Sequence, residues 1–215
     1  MNKDAVLARV RTERIIGVVR AHLGEALIPC ARALEAGGIR SLELSSTTPD
    51  AVRILAQAHA AIPDFHFGLG TVLDAETARA GILAGAAFIV TPAVRPDVIT
   101  LCRRYNVAVI SGAYSPDEVA AAHFAGADAI KVYPGNLFGP AYLASIRDRV
   151  HGATLIPIGG VTPATTGEFF RCGATAVFAG ASLVSEESVA TAAWDVVTAR
   201  AQVFAHAAAA TPFAR

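Results

Sequence analysis

A lysine in the middle of an apolar stretch is the first feature of this chain that could do chemistry. The stretch spans residues 128–134, and Lys131 lies between Ile130 and Val132. The chain has only two lysines, and the other, Lys3, lies in a polar N-terminal segment. Burial disfavours the charged form of an amine, and a neutral lysine amine is a nucleophile that can form a Schiff base. Lys131 is therefore a candidate nucleophile; from this stretch alone, a structural lysine held by a salt bridge is an equal alternative.

A carboxylate in a similar setting is the second candidate. Glu43 lies between Leu42 and Leu44, and because side chains alternate along a strand, it points away from the side that the leucines occupy. Lys131 has the same relation to its own neighbours. If both side chains face one enclosed interior, Glu43 could move protons for a covalent step on the lysine. The alternative is a structural counter-ion to Lys131 or to Arg20.

Both candidates belong to short apolar runs that recur along the chain. Continuous runs rich in Val and Ile are typical of strands that are covered on both faces. The predicted strands span residues 15–20, 41–44, 66–69, 87–90, 107–110, 128–132, 154–158 and 174–178.

Alanine-rich helical stretches separate these strands. Helix starts are indicated where Pro or an acidic residue follows a capping residue, as at 48–50, 115–117 and 162–163. Gly-Ala pairs at 85–86, 126–127 and 173–174 join helices to the following strands, which indicates a repeated αβ unit.

Eight strands that alternate with helices, with no linker, predict a single (β/α)₈ TIM barrel over residues 1–215. A first helix over residues 3–13 precedes the first strand, and one or two closing helices occupy residues 186–206. A doubly wound open sheet is the alternative, because alternation alone does not prove closure.

The composition excludes several classes of function. The formal net charge is zero, with no basic stripe, so we expect neither nucleic acid nor a membrane surface as a partner. Three scattered cysteines and the absence of a signal peptide predict reduced thiols in a cytoplasmic protein. The six histidines lack metal-binding spacing, so we predict no metal site.

Glycines and a threonine follow the strands at the end where a barrel has its active face. Gly68 and Gly70 would let a ligand approach the backbone, and the Thr71 hydroxyl could hold a carboxylate; an ordinary tight turn is the alternative. Gly159-Gly160 precedes a predicted helix and, with Gly180, fits a phosphate site.

Six motifs occur in a fixed order between residues 15 and 184: Leu42-Glu43-Leu44, Gly70-Thr71-Val72, Val90-Thr91-Pro92, Ile130-Lys131-Val132-Tyr133-Pro134, Phe138-Gly139-Pro140 and Gly159-Gly160-Val161-Thr162-Pro163. Together they resemble the class I 2-keto-3-deoxy-6-phosphogluconate and 2-keto-3-deoxy-6-phosphogalactonate aldolases. The motif at 138–140 favours the phosphogalactonate branch.

The resemblance implies a homotrimer of (β/α)₈ barrels that needs no cofactor. Lys131 would be the Schiff-base lysine, and Glu43 would be the acid and base. The ligands would be a 2-keto-3-deoxy sugar acid and its product pyruvate. The implied substrate-binding residues are Arg20, Thr71, Pro92, Gly159, Gly160, Gly180 and Ala181.

Three positions depart from the family pattern. Thr47 stands where the phosphogluconate branch has an arginine, and Ser111-Gly112 replaces the usual Pro-Gly pair. Ala181 stands where the family usually has a phosphate-binding serine, with Ser182 one residue later. The last departure keeps an unphosphorylated sugar acid or 4-hydroxy-2-oxoglutarate open as substrates. A phosphate-binding isomerase or epimerase is the alternative from another class, and a non-catalytic sugar-binding protein is a further one.

Overall fold

Eight parallel strands form the centre of the computed structural model, which describes residues 2–19 and 26–212. The strands are β1 (Ile15–Val19), β2 (Ser41–Ser45), β3 (His66–Gly70), β4 (Phe88–Thr91), β5 (Ala108–Ala113), β6 (Ala129–Val132), β7 (Leu155–Pro157) and β8 (Val177–Ala179).

Helices separate the strands, as the sequence predicts. In the described part of the chain they are α1 (Lys3–Glu13), α2 (Leu27–Ala36), α3 (Ala51–Ala61), α4 (Ala75–Leu83), α5 (Pro96–Tyr105), α6 (Pro116–Ala125), α7 (Gly139–Arg147), α8 (Pro163–Arg171), α9 (Glu186–Ala190) and α10 (Trp194–Ala209).

The order of the strands confirms the TIM barrel. Neighbouring strands follow the chain from β1 to β7, and β8 pairs with β1, where Ile15 is opposite Val177. A parallel bridge between Ile158 and Phe178 links β7 to β8. The pairing of the first and last strands excludes the doubly wound open sheet, in which the first strand lies inside the sheet and is not a neighbour of the last.

The predicted strand bounds are wrong by a few residues at several ends. β7 and β8 are only three residues long, whereas the apolar patterns predict five for each. The apolar residues just outside these strands are still buried, for example Ile158 and Ala176. Burial therefore extends the apolar pattern beyond the residues that form these two strands.

Capping chemistry explains where several helices begin. Ser115 and Thr162 each form a capping box in front of a proline, as predicted for α6 and α8. The predicted start at 48–50 is wrong: α3 begins at Ala51, and Asp50 precedes it in a left-handed conformation without a side-chain cap.

Two apolar layers hold the barrel together. The outer layer lies between strands and helices and contains the strand residues on one parity, including Leu42, Leu44, Ile130 and Val132. The inner layer fills the barrel and contains residues of the other parity, such as Phe178. Glu43 and Lys131 have the parity of the inner layer, as the alternation predicts.

Helix α1 closes the amino-terminal end of the barrel. Val6 and Val10 pack against the inner layer, and Lys3 Nζ donates a hydrogen bond of 2.9 Å to Asp128 just before β6. This end also buries Ser41 and His66, which are opposite each other on β2 and β3. In the described chain, Ser41 Oγ and His66 Nδ1 have no hydrogen-bond partner.

No helix within the described residues is long and apolar enough to cross a membrane.

Candidate active site

Glu43 and Lys131 meet inside the barrel. Lys131 Nζ donates hydrogen bonds to both carboxylate oxygens, at 2.9 and 2.8 Å. Only 12% of the lysine side chain and 3% of the glutamate side chain are exposed. The two residues that the sequence predicts as candidates therefore form one buried pair, and the carboxylate lies within direct proton-transfer distance of the amine.

Glycine creates the space for this pair. β2 and β6 lie across the barrel from each other, so the two side chains meet near its axis. A methyl group at Gly70 would lie 2.0 Å from Glu43 Oε1, and one at Gly68 would lie 2.1 Å from the Phe88 ring. These glycines thus make room for protein side chains, which corrects the expectation that they admit a ligand to the backbone.

An aromatic ring lies beside the lysine. Lys131 Nζ is 4.6 Å from the centroid of the Phe178 ring, which is buried in the inner layer. The face of an aromatic ring attracts a cation, so the ring and the Glu43 carboxylate are two groups that can interact with the lysine head. Attack on a carbonyl requires the neutral amine, and Glu43 is the group placed to accept its proton.

A cavity of about 270 Å³ opens above the pair. Thr71 and Pro92, both predicted to bind substrate, line it together with Glu43 and Lys131. Three hydroxyl-bearing residues of its wall were not predicted as site residues: Ser45, Thr47 and Thr91. Thr71 has a φ of 58°, a conformation that is unusual for a β-branched residue and concentrates at functional sites.

A larger cavity of about 800 Å³ adjoins the first. All four of the remaining predicted residues within the described chain line it: Gly159, Gly160, Gly180 and Ala181.

Backbone geometry explains the glycines of the larger cavity. Gly159 and Gly160 have φ values of 101° and 66°, which favour glycine. A methyl group at Gly180 would meet nothing within 4 Å, so the backbone there borders open space. The amino end of α8 follows the two glycines, and the helix dipole favours an anion at that end.

The hydroxyl of Ser182 already forms a hydrogen bond within the protein, so it does not simply take the place of the serine hydroxyl that Ala181 lacks. It lines the larger cavity, but its Oγ donates a hydrogen bond of 2.7 Å to the Val161 carbonyl oxygen. The cavity nevertheless keeps further polar groups in Ser185 and Glu186.

Val18 and Tyr133 line both cavities and therefore mark their junction. Tyr133 is two residues beyond Lys131 and 52% exposed, and Ser45 is two residues beyond Glu43. The inward parity of the two strands could have identified both residues. Arg20 lies outside the described residues, so the structure does not test its predicted place.

Within residues 2–19 and 26–212, no group of three or more His, Cys, Asp or Glu side chains is arranged to hold a metal ion.

Comparison with known proteins identifies the family. The model of the family "Aldolase: KDPG and KHG aldolase" matches residues 6–200. The chain belongs to the KDPG and KHG aldolase family. Within it, the chain is 32% identical over 190 residues to the 2-dehydro-3-deoxy-phosphogluconate aldolase of Treponema pallidum, covering 88% of this chain and 90% of that one. It is 29% identical to the probable 2-dehydro-3-deoxy-6-phosphogalactonate aldolase of Rhizobium meliloti, covering 85% and 92%.

Solved structures of the family share the fold. A native KDPGal structure has a TM-score of 0.83 at 26% identity, covering 90% of this chain and 93% of that one. The KDPG aldolase of Legionella pneumophila, with pyruvate captured as a covalent carbinolamine, has a TM-score of 0.84 at 26% identity, covering 95% and 98%. The chain is thus a TIM-barrel aldolase, a lyase of the KDPG and KHG type.

Proposed function

We propose that this aldolase cleaves 2-keto-3-deoxy-6-phosphogalactonate, or its phosphogluconate epimer, to pyruvate and glyceraldehyde 3-phosphate through a Schiff base on Lys131. The buried Glu43–Lys131 pair carries the proposal, because it combines a nucleophilic amine with a proton acceptor at 2.8 Å. The carbinolamine of the Legionella pneumophila relative is a covalent pyruvate intermediate, and such an intermediate forms when an amine adds to a ketone.

The first half of the reaction forms the iminium. Glu43 accepts a proton from Lys131, and the neutral amine attacks the C2 ketone. Glu43 returns this proton to the C2 oxygen, which gives the carbinolamine. Glu43 then carries a second proton from the nitrogen to the same oxygen, which leaves as water. The resulting iminium is positively charged, and it can accept the electron pair of a neighbouring bond.

The second half breaks the carbon–carbon bond. The Glu43 carboxylate removes the proton of the C4 hydroxyl, the C3–C4 electrons move toward the iminium nitrogen, and an aldehyde departs. The enamine that remains on Lys131 takes up a proton at C3, and water hydrolyses the iminium to release pyruvate. No step uses a metal ion, so the proposal includes metal-independent catalysis.

The two cavities fit the two ends of such a substrate. Thr71 and Pro92 line the cavity above Lys131, where the pyruvoyl end would react. Gly159, Gly160 and Gly180 line the larger cavity, where the amino end of α8 supports an anionic distal group. We assign the phosphate to the larger cavity, with Arg20 as a further substrate-binding residue.

One observation favours a second substrate class. Ala181, in the larger cavity, has no hydroxyl to offer a phosphate, and an unphosphorylated sugar acid or 4-hydroxy-2-oxoglutarate does not need one. We take the phosphorylated acids as the primary substrates, in a cytoplasmic homotrimer. Light scattering measures the subunit number directly.

Trapping with pyruvate and borohydride tests the mechanism. Hydride reduction of the iminium leaves a stable secondary amine, which mass spectrometry locates in the sequence. We expect the adduct on Lys131. An isomerase or a sugar-binding protein without covalent chemistry gives no adduct, and that result would remove the proposed mechanism.

A further inference from the structure

A chain of hydroxyl groups leads into the cavity above Lys131. Ser45 Oγ lies 2.7 Å from Thr47 Oγ1 and 3.0 Å from Thr71 Oγ1. The Thr47 backbone N–H also donates to Ser45 Oγ, at 3.3 Å. Ser45 is 4% exposed, so it lies behind the two threonines and connects them.

The positions of the heavy atoms favour one direction for these hydrogen bonds. Ser45 is the donor in its bond to Thr71, and a serine hydroxyl has a single hydrogen to donate. Thr47 Oγ1 must then donate to Ser45 Oγ, which accepts from Thr47 twice. The hydrogen of the Thr71 hydroxyl is left over, because the described residues form no hydrogen bond in which Thr71 Oγ1 is the donor.

The backbone of Thr71 is held in place at the same time. Its φ of 58° is disfavoured for a β-branched residue, and Ser46 Oγ donates a hydrogen bond of 3.0 Å to its carbonyl oxygen. With the bond from Ser45, two neighbouring serines thus fix both the main chain and the hydroxyl of this residue.

We infer that Ser45 is a positioning residue: it orients the Thr71 hydroxyl so that its hydrogen points toward the carboxylate of a 2-keto acid bound at Lys131. Successive hydrogen bonds polarise one another, so the bond from Thr47 through Ser45 strengthens Thr71 as a donor to an anion. This inference rests on the proposed function, because it assumes that a keto acid reacts with Lys131.

The cavity offers few charged groups to a bound carboxylate. Among the described residues that line it, Lys131 is the only cation. The phosphogluconate branch has an arginine at position 47, whereas this chain has a threonine, so hydroxyl groups are the donors that this part of the wall offers.

The test measures the pyruvate concentration that gives half-maximal trapping by borohydride on Lys131. The variant is Ser45→Ala, and the matched control is Ser41→Ala, which removes an unpartnered buried hydroxyl from the same strand at the other end of the barrel. We expect half-saturation to rise about tenfold in Ser45→Ala, the equivalent of one net hydrogen bond of about 1.4 kcal/mol. Ser41→Ala should match the wild-type protein.

Methyl pyruvate distinguishes a role in carboxylate binding from a purely structural role, because a structural defect would impair trapping of pyruvate and of its methyl ester equally. Its ester is uncharged and a weaker acceptor, so Ser45→Ala should impair methyl pyruvate much less than pyruvate. Thr47→Val, which keeps Ser45 in place, should give a smaller shift of the same kind. It also keeps the inference testable if Ser45→Ala does not fold.

Two results overturn the inference alone: wild-type half-saturation in Ser45→Ala, or an equal loss for pyruvate and its methyl ester. If Ser45→Ala does not fold, wild-type half-saturation in Thr47→Val overturns it. If the wild-type protein forms no adduct on Lys131, the proposed function fails, and the inference fails with it.

Discussion

Gly70→Ala should inactivate the enzyme although position 70 carries no chemical group. The added methyl carbon would lie 2.0 Å from Glu43 Oε1 and 2.5 Å from its carboxyl carbon. An ordinary carbon–oxygen contact is about 3.2 Å or more, so the carboxylate must move by about 1 Å. A misplacement of about 1 Å can lower a rate by about 10²-fold, and we expect a loss of kcat of about that size.

Gly68→Ala is the matched control for strain inside the barrel. It adds a methyl group on the same face of the same strand, where the three nearest atoms all belong to the Phe88 ring, the first at 2.1 Å. Overpacking costs about 1–3 kcal/mol, so we expect Gly68→Ala to be destabilised but to keep most of its kcat. The assay couples pyruvate release to lactate dehydrogenase, and thermal unfolding gives stability. If Gly70→Ala and Gly68→Ala have equal kcat values, the reasoning that a side chain at position 70 displaces Glu43 is refuted.

Four further predictions concern single groups and the substrate. Lys131→Ala should abolish cleavage while its thermal unfolding remains cooperative; measurable turnover above the uncatalysed rate contradicts a Schiff base at this position. Glu43→Gln should lower kcat by about 10² to 10⁴-fold, and a near-normal kcat in the same coupled assay would make Glu43 structural. Phosphorylated sugar acids should have a higher kcat/KM than the free acids when the two C4 epimers are compared in parallel; a preference for the free acids would favour the substrate class that Ala181 suggests. Burial, with a smaller effect of Arg9, lowers the pKa of His66 from 6.5 to about 4, so the unfolded chain binds more protons between these values. The folded state should lose about 3 kcal/mol of its free energy of unfolding as the pH falls from 6.5 to 4, and urea denaturation of His66→Gln beside the wild-type protein should show that loss only in the wild type.

The sequence predicts the buried Glu43–Lys131 pair because two simple rules are enough for it. Strand parity turns Glu43 and Lys131 away from their apolar neighbours, and parallel strands bring both into one interior. Neither rule requires knowledge of loops or of strand ends. The meeting of these two side chains could therefore be predicted even though several strand bounds were not.

Other features depend on distances between atoms of different strands, which the pattern of residue types along the sequence does not contain. Closure of the barrel required the pairing of β1 with β8, which alternation cannot distinguish from an open sheet. The role that we propose for Gly70 depends on its separation from Glu43, and the role that we propose for Ser45 depends on its hydrogen bonds. Ser45 could have been noticed by its inward parity, but a serine on that face has many structural uses.

The two lysines of this chain lie at opposite ends of the barrel along one strand. Lys3 forms a hydrogen bond with Asp128 just before β6. Lys131 lies within β6 at the mouth, the end of the barrel where the cavity above the Glu43–Lys131 pair opens. Besides the N-terminal amine, amine-reactive labels therefore have only these two side chains to modify, and each reports on a different surface. A reagent that distinguishes them in the intact protein would follow occupation of the mouth and release of the N-terminal helix in a single mass spectrum.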